Sequence, residues 1–279
     1  MTTNRITVGE VLSFKNKRKI AMLTAYDYPL ASLADKAGID IILVGDSLAN
    51  VVLGLESTAQ VGMPEMLHHA KAVDRAVTRA LVVGDMPYDS YQVNSEACVE
   101  NAKRFINEAG CAAVKLEWFE KCPEVTRAIV ESGIAVMGHI GLTPQTADKI
   151  GGFKVQGRDA EAARRLIDEA LLLEDKGCFA LVLECVPDRI SEMITAKLKI
   201  PTIGIGAGPH CDGQVLVIHD LLGLFERYRP KFVKQYLNLS PLIQGAIQEY
   251  ARDVREGKFP AKEHCFSIKE EELKKLSPD

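Results

Sequence analysis

Short apolar runs recur along the chain, and each follows a helical pattern that ends in a glycine. Residues 33–47 read LADKAGIDIILVGDS, and residues 105–117 read FINEAGCAAVKLE. The glycine suits the position just after a helix end, where a positive φ is needed. The runs are rich in Val, Ile and Leu, which is typical of a parallel strand buried on both faces. The pattern therefore predicts alternating helices and buried parallel strands.

Eight such runs predict strands, with the last one the least distinct: residues 20–25, 40–45, 80–84, 112–116, 134–138, 179–183, 201–205 and 215–218. Amphipathic stretches separate most of them, so the sequence predicts a (β/α)₈ TIM barrel. A doubly wound open sheet is the alternative, disfavoured because no G-x-G-x-x-G follows the first strand. We expect residues 1–279 to form one barrel domain, with a charged helical extension from about residue 229.

Polar residues stand where the predicted strands end. They are Asp46, Ser47, Asp85, Glu117, His139 and Glu184. In a (β/α)₈ barrel the active site lies at the carboxyl ends of the strands, so these side chains are candidates for it. The alternative is that they cap the helices that follow, as Asp and Ser often do. The same pattern at five βα junctions favours an active site.

Lys115 and Glu117 share one face of the fourth predicted strand, because side chains alternate along a strand. The outer face of a barrel strand is covered by helices and is apolar, so both residues are expected to point inward. A buried lysine needs a carboxylate or a ligand as partner. A self-contained Lys–carboxylate pair remains an alternative to a ligand contact.

Three carboxylates end neighbouring predicted strands, namely those of Asp46, Asp85 and Glu117. Acids that converge in this way repel one another and raise one another's pKa values. A hard divalent cation removes the conflict, and a set of oxygen ligands favours Mg²⁺ over zinc. The sequence therefore predicts a magnesium site.

Composition narrows the class of protein. The chain has 279 residues, 47% of them hydrophobic and 26% charged, with a net charge of −4, which gives no sign of affinity for nucleic acid or anionic membranes. The seven cysteines show no C-x-x-C spacing, which favours reduced thiols in a cytosolic protein. The N-terminus lacks the apolar core of a signal peptide, and no apolar run reaches membrane-spanning length. We expect a cytoplasmic protein.

Other segments leave alternatives open. The glycine-rich stretch 204–213 could cradle a phosphate through backbone N–H groups, or it could be a tight turn. Residues 151–159, GGFKVQGRD, are a candidate lid with glycine hinges. His210 and His219 follow the last two predicted strands and could line the mouth.

Several stretches, taken together and in this order, resemble the 3-methyl-2-oxobutanoate hydroxymethyltransferase (ketopantoate hydroxymethyltransferase) family. They are MLTAYDYPLA, LVGDSLANVVLG, VVGDMPY, VKLE, MGHIGLTPQ, KVQGR, LVLECVP, and GIGAG with CDGQVLV. The resemblance runs from Thr24 to about Asp220. It implies a barrel of the phosphoenolpyruvate/pyruvate superfamily, a homo-oligomer that is typically a decamer, Mg²⁺ as cofactor and 5,10-methylenetetrahydrofolate as cosubstrate.

The resemblance also implies roles for the polar strand ends. It assigns the metal to Asp46, Asp85 and Glu117. It assigns the oxo-acid contacts to Ser47, Lys115 and His139, together with Asp46 and Asp85. It assigns proton abstraction to Glu184. The implied reaction forms an enolate at C3 of 3-methyl-2-oxobutanoate and adds a one-carbon unit, the first step of pantothenate synthesis. A Mg²⁺-dependent C–C lyase or phosphonomutase, and a non-catalytic binding protein, are the alternatives. The lyases place a catalytic cysteine loop at the mouth, whereas VKLEWFE stands here.

Overall fold

The computed structural model describes residues 5–146 and 154–276. Eight parallel strands close into a barrel in the order of the sequence, β1 to β8. The strands are β1 Ile20–Thr24, β2 Ile41–Val44, β3 Leu81–Asp85, β4 Ala113–Glu117, β5 Ala135–Gly141, β6 Ala180–Glu184, β7 Thr202–Ile205 and β8 Gly213–Leu216. The predicted (β/α)₈ barrel is confirmed. The prediction for the last strand was wrong by two residues, because Gly213 already pairs with Ile20 of β1.

Helices connect the strands and continue beyond the barrel. They are α1 Val8–Phe14, α2 Tyr28–Lys36, α3 Leu48–Val51, α4 Met63–Ala76, α5 Tyr88–Tyr91, α6 Ser95–Asn107, α7 Cys122–Glu131, α8 Ala160–Asp175, α9 Asp188–Lys197, α10 Ile218–Leu222, α11 Ser240–Arg255 and α12 Glu270–Leu273. In the described ranges, no helix combines the length and the apolarity needed to cross a membrane.

The apolar core has two layers, divided by the strands. Alternate residues of each strand point into the barrel, where Leu81, Val83 and Met137 join one buried cluster. The residues between them, such as Val82 and Val136, point outward into a larger cluster shared with the helices. The interior is therefore filled with apolar side chains, and a polar residue on an inward position can only lie near an open end of the barrel.

The amino end of the barrel is closed by α1. Val11 of this helix is fully buried against the interior cluster. Lys15 follows the helix, and its ammonium group donates to Asp212 Oδ2 at 2.8 Å and to the carbonyl of Thr195 at 3.1 Å. Arg18 donates two hydrogen bonds to the carboxylate of Asp40 at 2.8 and 2.9 Å. These contacts leave the carboxyl end as the open mouth of the barrel.

The chain beyond the barrel exposes an apolar face. Helix α11 has no buried residue, and its Ile243, Ile247, Tyr250 and Val254 are all exposed. Their spacing of four, three and four residues places them on one face of the helix. The prediction of one domain with a helical extension stays a prediction, but the helical character of the extension agrees with it.

The glycine-rich stretch between β7 and β8 packs closely against the rest of the chain. Gly206 has a φ of +64°, and a Cβ there would lie 2.7 Å from the ring of Phe232. Packing and backbone conformation thus account for this glycine, as the tight-turn interpretation expects. The phosphate cradle stays a prediction. Of the candidate lid, residues 151–153 lie outside the described residues.

Asp35, near the end of α2, fixes the chain that enters β3. Its carboxylate accepts hydrogen bonds from the N–H groups of Thr78 at 2.8 Å, Arg79 at 3.1 Å and Ala80 at 2.7 Å, and from the Thr78 hydroxyl at 2.8 Å. Burial alone would raise the pKa of Asp35, but these donors outweigh it and hold the pKa below its ordinary value.

We expect Asp35→Asn to lower the free energy of unfolding at pH 7 by about 2–3 kcal/mol, because an amide cannot accept from all these donors. Since the folded pKa is depressed, the contribution is present above the ordinary value of 3.8 and is lost as the pH falls through the lower folded value. Urea unfolding at pH 7 and near pH 3 measures this, with the exposed Asp168→Asn as control. An equal difference at both pH values would contradict it.

Candidate active site

The strand register places the polar residues of the mouth side by side. Asp85 of β3 is the register partner of Lys115 in β4, and Glu117 of β4 is the partner of His139 in β5. Neighbouring strands are about 4.8 Å apart, so side chains on the same face at these positions touch. Glu184 of β6 pairs with Gly141, two residues beyond His139. The carboxyl end of the barrel therefore gathers the predicted residues in one sector.

Lys115 and Asp85 form a buried ion pair. The Lys115 Nζ donates to both oxygens of Asp85 at 2.6 Å, and the two side chains are 5% and 1% exposed. The Lys–carboxylate pair that the sequence left open is therefore present. This pair does not explain why Asp46, Glu117 and Glu184 also lie at the mouth, because none of them accepts a hydrogen bond from Lys115.

His139 lies between two carboxylates. Its Nδ1 is 3.4 Å from Glu117 Oε1, and its Nε2 is 3.3 Å from Glu184 Oε2, both at ion-pair distance but outside good hydrogen-bond geometry. Burial and the charge of Lys115 lower the pKa of His139, but the two carboxylates outweigh them and raise it to about 9. The ring is thus held as an imidazolium with a donor facing each acid.

Asp46 reaches the mouth through a turn and not through the strand. Its N–H donates to Asp85 Oδ2 at 3.1 Å, which ties the end of β2 to the end of β3. The side chain is buried, and its Oδ2 has no hydrogen-bond partner among the described residues. An unpartnered buried carboxylate oxygen is costly, so this atom marks a place where a ligand would be stabilising.

The mouth carries an excess of negative charge. Burial raises the pKa of Asp85, Lys115 opposes the rise, and Asp46 and Glu117 add to it, so that the pKa is about 7. Burial likewise raises the pKa of Glu117, with His139 opposing it. Burial lowers the pKa of Lys115, but the three surrounding carboxylates raise it above its ordinary value, so the lysine stays charged. Four carboxylates thus face two cationic side chains, an arrangement that favours a further cation.

The interpretation of these residues as helix caps does not hold. The residues that precede α3, α5, α7 and α9 are Ser47, Pro87, Lys121 and Pro187, and none of them forms a side-chain capping hydrogen bond. Ser47 instead shares a 2.7 Å hydrogen bond with the hydroxyl of Tyr26. The polar strand ends therefore serve the mouth and not the helices.

Sequence reasoning missed two residues that support the site, Tyr26 and Gln145. Tyr26 is buried at the end of β1 and holds the Ser47 hydroxyl. Gln145 donates its N–H to Glu117 Oε2 at 3.1 Å and its side-chain amide to the carbonyl of Met86 at 3.2 Å, and it accepts from the Tyr91 hydroxyl. Both residues stand within stretches that carry the family resemblance, AYD and LTPQ. The resemblance could therefore have identified them.

The two other candidate histidines, His210 and His219, differ in their distance from the mouth. The His219 ring lies 5.5 Å from that of Tyr26, so it borders the mouth on the β1 side. His210 is on the surface, 3.6 Å from Glu192, with 43% of its side chain exposed. Of these two, only His219 is placed near the predicted site.

A magnesium ion is compatible with the donors present. Within residues 5–146 and 154–276, no three His, Cys, Asp or Glu side chains are grouped at metal-ligand spacing. Two buried carboxylate oxygens nevertheless lack a hydrogen-bond partner in this part of the chain, Asp46 Oδ2 and Glu117 Oε1. Mg²⁺ is usually held by one or two carboxylates and completes its shell with water and substrate oxygens. The oxygen-only donor set fits that preference.

Comparison with known proteins identifies the family. A model of the ketopantoate hydroxymethyltransferase family matches residues 5–262. The chain is 55% identical to the 3-methyl-2-oxobutanoate hydroxymethyltransferase of Syntrophomonas wolfei, over 98% of this chain and 99% of the relative. It is 55% identical to the enzyme of the same name from Moorella thermoacetica, over 94% and 98%.

Solved structures of other enzymes share the fold. A phosphonopyruvate hydrolase in complex with oxalate and Mg²⁺ superposes with a TM-score of 0.60 at 14% identity, over 97% of this chain and 96% of that one. A 2,3-dimethylmalate lyase of the PEP mutase/isocitrate lyase superfamily gives 0.57 at 13%, over 97% and 94%. These structures share the (β/α)₈ barrel fold with the chain.

The contribution of the buried Lys115–Asp85 ion pair to the free energy of unfolding can be measured. We expect Lys115→Met to lower the free energy of unfolding by about 3–5 kcal/mol, because it leaves Asp85 buried without its cation. Adding Asp85→Asn should restore most of the loss, since no unpaired charge then remains at this position. Chemical unfolding of the wild type, both single variants and the double variant measures the coupling. Additive losses would show that the two side chains do not stabilise each other.

Proposed function

The chain belongs to the ketopantoate hydroxymethyltransferase family, and we propose that it makes 2-dehydropantoate (ketopantoate) from 3-methyl-2-oxobutanoate with 5,10-methylenetetrahydrofolate as one-carbon donor. The reaction consumes one water and releases tetrahydrofolate, and we propose that it begins pantothenate synthesis. The observation that carries the proposal is the cluster at the carboxyl end of the barrel, where Lys115 and His139 stand among four carboxylates. Such a site suits an anionic oxo acid whose C3 must lose a proton.

We propose that Mg²⁺ is bound at the mouth by Asp46 and Asp85, with Glu117 completing the site. When bound, the ion would supply a Lewis acid for the keto and carboxylate oxygens of the oxo acid. Asp46 Oδ2 and Glu117 Oε1, which accept no hydrogen bond among the described residues, support this assignment. Asp85 accepts hydrogen bonds from Lys115 with both oxygens, and the charge of Lys115 opposes the rise of the Asp85 pKa that burial causes.

We propose that the remaining side chains bind and orient the substrate. Lys115 brings a permanent positive charge beside the substrate carboxylate or the enolate oxygen. The imidazolium of His139 donates a hydrogen bond to the same region. The Ser47 hydroxyl, held by Tyr26, contributes a neutral donor. All of these groups are fixed by neighbours before substrate arrives, so little reorganisation is needed.

Glu184 is the proposed proton acceptor. It ends β6, and its side chain is 15% exposed, whereas the side chains of Asp85 and Glu117 are 1% and 0% exposed. It can therefore meet a substrate that enters from the mouth. One of its carboxylate oxygens lies 3.3 Å from His139 Nε2. The proton removed from C3 passes to Glu184, and the electron pair left at C3 forms the new bond to the one-carbon unit. The two bonds from that carbon to N5 and N10 of the folate break, one as the bond to C3 forms and the other as water adds to give the hydroxyl group.

We propose a homo-oligomer, for which the family resemblance implies a decamer. The exposed apolar face of α11 supports this, since a helix with no buried residue gains stability by packing against another subunit. Sedimentation of the purified chain as a single subunit would contradict it. We also propose a cytoplasmic location, because the seven cysteines are all free thiols.

The metal assignment predicts the behaviour of Asp46 variants. We expect Asp46→Asn to lose nearly all Mg²⁺-dependent activity while the circular dichroism spectrum is retained. EDTA should abolish wild-type activity, and added Mg²⁺ should restore it. Tetrahydrofolate release from methylenetetrahydrofolate and 3-methyl-2-oxobutanoate measures the turnover. Full activity in exhaustively chelated wild type would overturn the metal proposal, and binding of both substrates without turnover would favour a non-catalytic protein.

The proton-acceptor assignment has a direct assay, exchange of the C3 proton of 3-methyl-2-oxobutanoate into D₂O without folate, followed by NMR. We expect Glu184→Gln to slow exchange and to lower kcat by about 10²–10⁴-fold, because a positioned general base contributes that much. The affinities for the oxo acid and Mg²⁺ should change little. Glu192→Gln on α9, which is exposed, is the matched control. A C3 exchange rate in Glu184→Gln equal to that of the wild type would show that another group is the base.

A further inference from the structure

A second cleft opens beside the mouth, on the outer side of the barrel. It has a volume of about 980 Å³ and lies between α8 and the loops that follow β3, β4 and β5. One face of α8 forms a wall, because Ala162, Arg165, Leu166 and Glu169 recur at helical spacing. This wall runs about 10 Å along the helix axis. The cleft is therefore long enough for an extended ligand.

Aromatic side chains of the loops also line the cleft. Trp118 and Phe119 follow directly after β4, and Tyr88 follows β3. Phe119 packs against the ring of Tyr91 at 5.5 Å, which fixes its position. Trp118 and Phe119 are only partly buried although they are large and apolar. Such side chains favour a flat ring that can stack on them.

Glu169 brings a carboxylate into this cleft without a hydrogen-bond or ion-pair partner among the described residues. It is half-buried. The neighbouring Arg165 donates instead to Glu161 at 2.7 Å. Burial raises the pKa of Glu169 to about 7, with Arg165 opposing and Asp168 adding to the rise. A ligand with two adjacent N–H donors would relieve this unfavourable position.

The cleft adjoins the reaction site through shared backbone. Trp118 directly follows Glu117, and its N–H donates to the carbonyl of His139 at 2.9 Å. Gly141 lines the cleft and pairs with Glu184. It has a φ of +97°, and a Cβ there would lie 2.3 Å from the Glu184 carbonyl oxygen, so only glycine allows this close approach. A ligand in the cleft thus borders the site where the proton is removed.

We propose that this cleft binds the pterin ring of the reduced folate, with the Glu169 carboxylate accepting hydrogen bonds from the 2-amino group and the ring N3–H. The inference rests on the proposed function, since it names the subsite for the folate cosubstrate. The pyrimidine edge of a pterin presents these two donors side by side, which matches the two oxygens of a carboxylate. Trp118 and Phe119 provide the surface on which the ring stacks.

The orientation follows from the chemistry of the ligand. The one-carbon unit bridges N5 and N10, on the edge of the ring system away from the pyrimidine donors. With the donor edge at Glu169, the reactive edge faces away from α8 and towards the mouth. The glutamate tail of folate extends from the same side as N10 and is anionic, and Lys121, exposed at the cleft in the loop after β4, provides positive charge for it.

Binding can be followed at the cleft itself, because Trp118 is the only tryptophan of the chain. Tetrahydrofolate is titrated into the full-length protein, with calorimetry and Trp118 fluorescence, corrected with free tryptophan, as readouts. We expect saturable quenching in the wild type and a dissociation constant about 10- to 100-fold higher in Glu169→Gln, as expected for loss of a charged acceptor. Glu169→Asp should recover part of the affinity. Asp168→Asn, exposed on the same turn of α8, should bind as the wild type does.

Turnover measurements distinguish a folate-binding role of Glu169 from a structural one. They also test the subsite separately from the proposed function. In Glu169→Gln the KM for methylenetetrahydrofolate should rise by a similar factor, while the KM for the oxo acid and the folate-free C3 exchange rate stay at wild-type values. Unchanged tetrahydrofolate affinity in Glu169→Gln, or binding that leaves Trp118 unquenched, would overturn the subsite alone. A wild type that exchanges the C3 proton but gives no transfer from methylenetetrahydrofolate would overturn the folate donor, and the subsite with it.

Discussion

The buried ion pair between Lys115 and Asp85 is the interaction on which the arrangement of the mouth depends. A lysine on an inward position of a barrel strand is strongly unfavourable unless an anion meets it, and the register of β3 with β4 puts Asp85 beside it. The same carboxylate accepts the N–H of Asp46, so the end of β2 is fixed by the pair as well. One ion pair thus holds three strand ends in a common geometry.

The rest of the barrel strengthens the interactions among the charged groups of the mouth. Apolar side chains fill the interior below the mouth, and α1 closes the other end, so the charged groups lie on a dry, low-dielectric base. In such surroundings each charge interacts strongly with its neighbours, as the pKa of His139 shows, which two carboxylates raise in spite of burial. Charged groups on such a base would act more strongly on the proposed cation and substrate than exposed residues would.

The molecule separates its proposed tasks in space. The oxo-acid chemistry is assigned to the inward residues of the strands, where positions are set by the sheet. The folate subsite is assigned to the cleft outside the barrel, where α8 and the loop after β4 form the walls. The segment from Trp118 to Lys121 connects the two, since it begins next to Glu117 and lines the cleft. A cosubstrate can therefore approach the substrate without entering the closed interior.

The sequence by itself determined the strands, the polar positions at their ends and the inward direction of Lys115 and Glu117. These features follow from local periodicity, because the two-residue alternation of a strand is read directly from the order of apolar and polar residues. The family resemblance added the chemistry, but its residue roles remain proposals.

Only the tertiary structure decided which side chains meet. Continued alternation would place Asp46 on the outer face, since Ile42 and Val44 point outward, and it is the turn after β2 that brings it to the mouth. The partners of Lys115 and His139 depend on strand register, and register depends on barrel closure, which no local pattern encodes. Glu169 and Trp118 likewise line one cleft only because the fold brings α8 near a loop some fifty residues earlier, which no local pattern encodes.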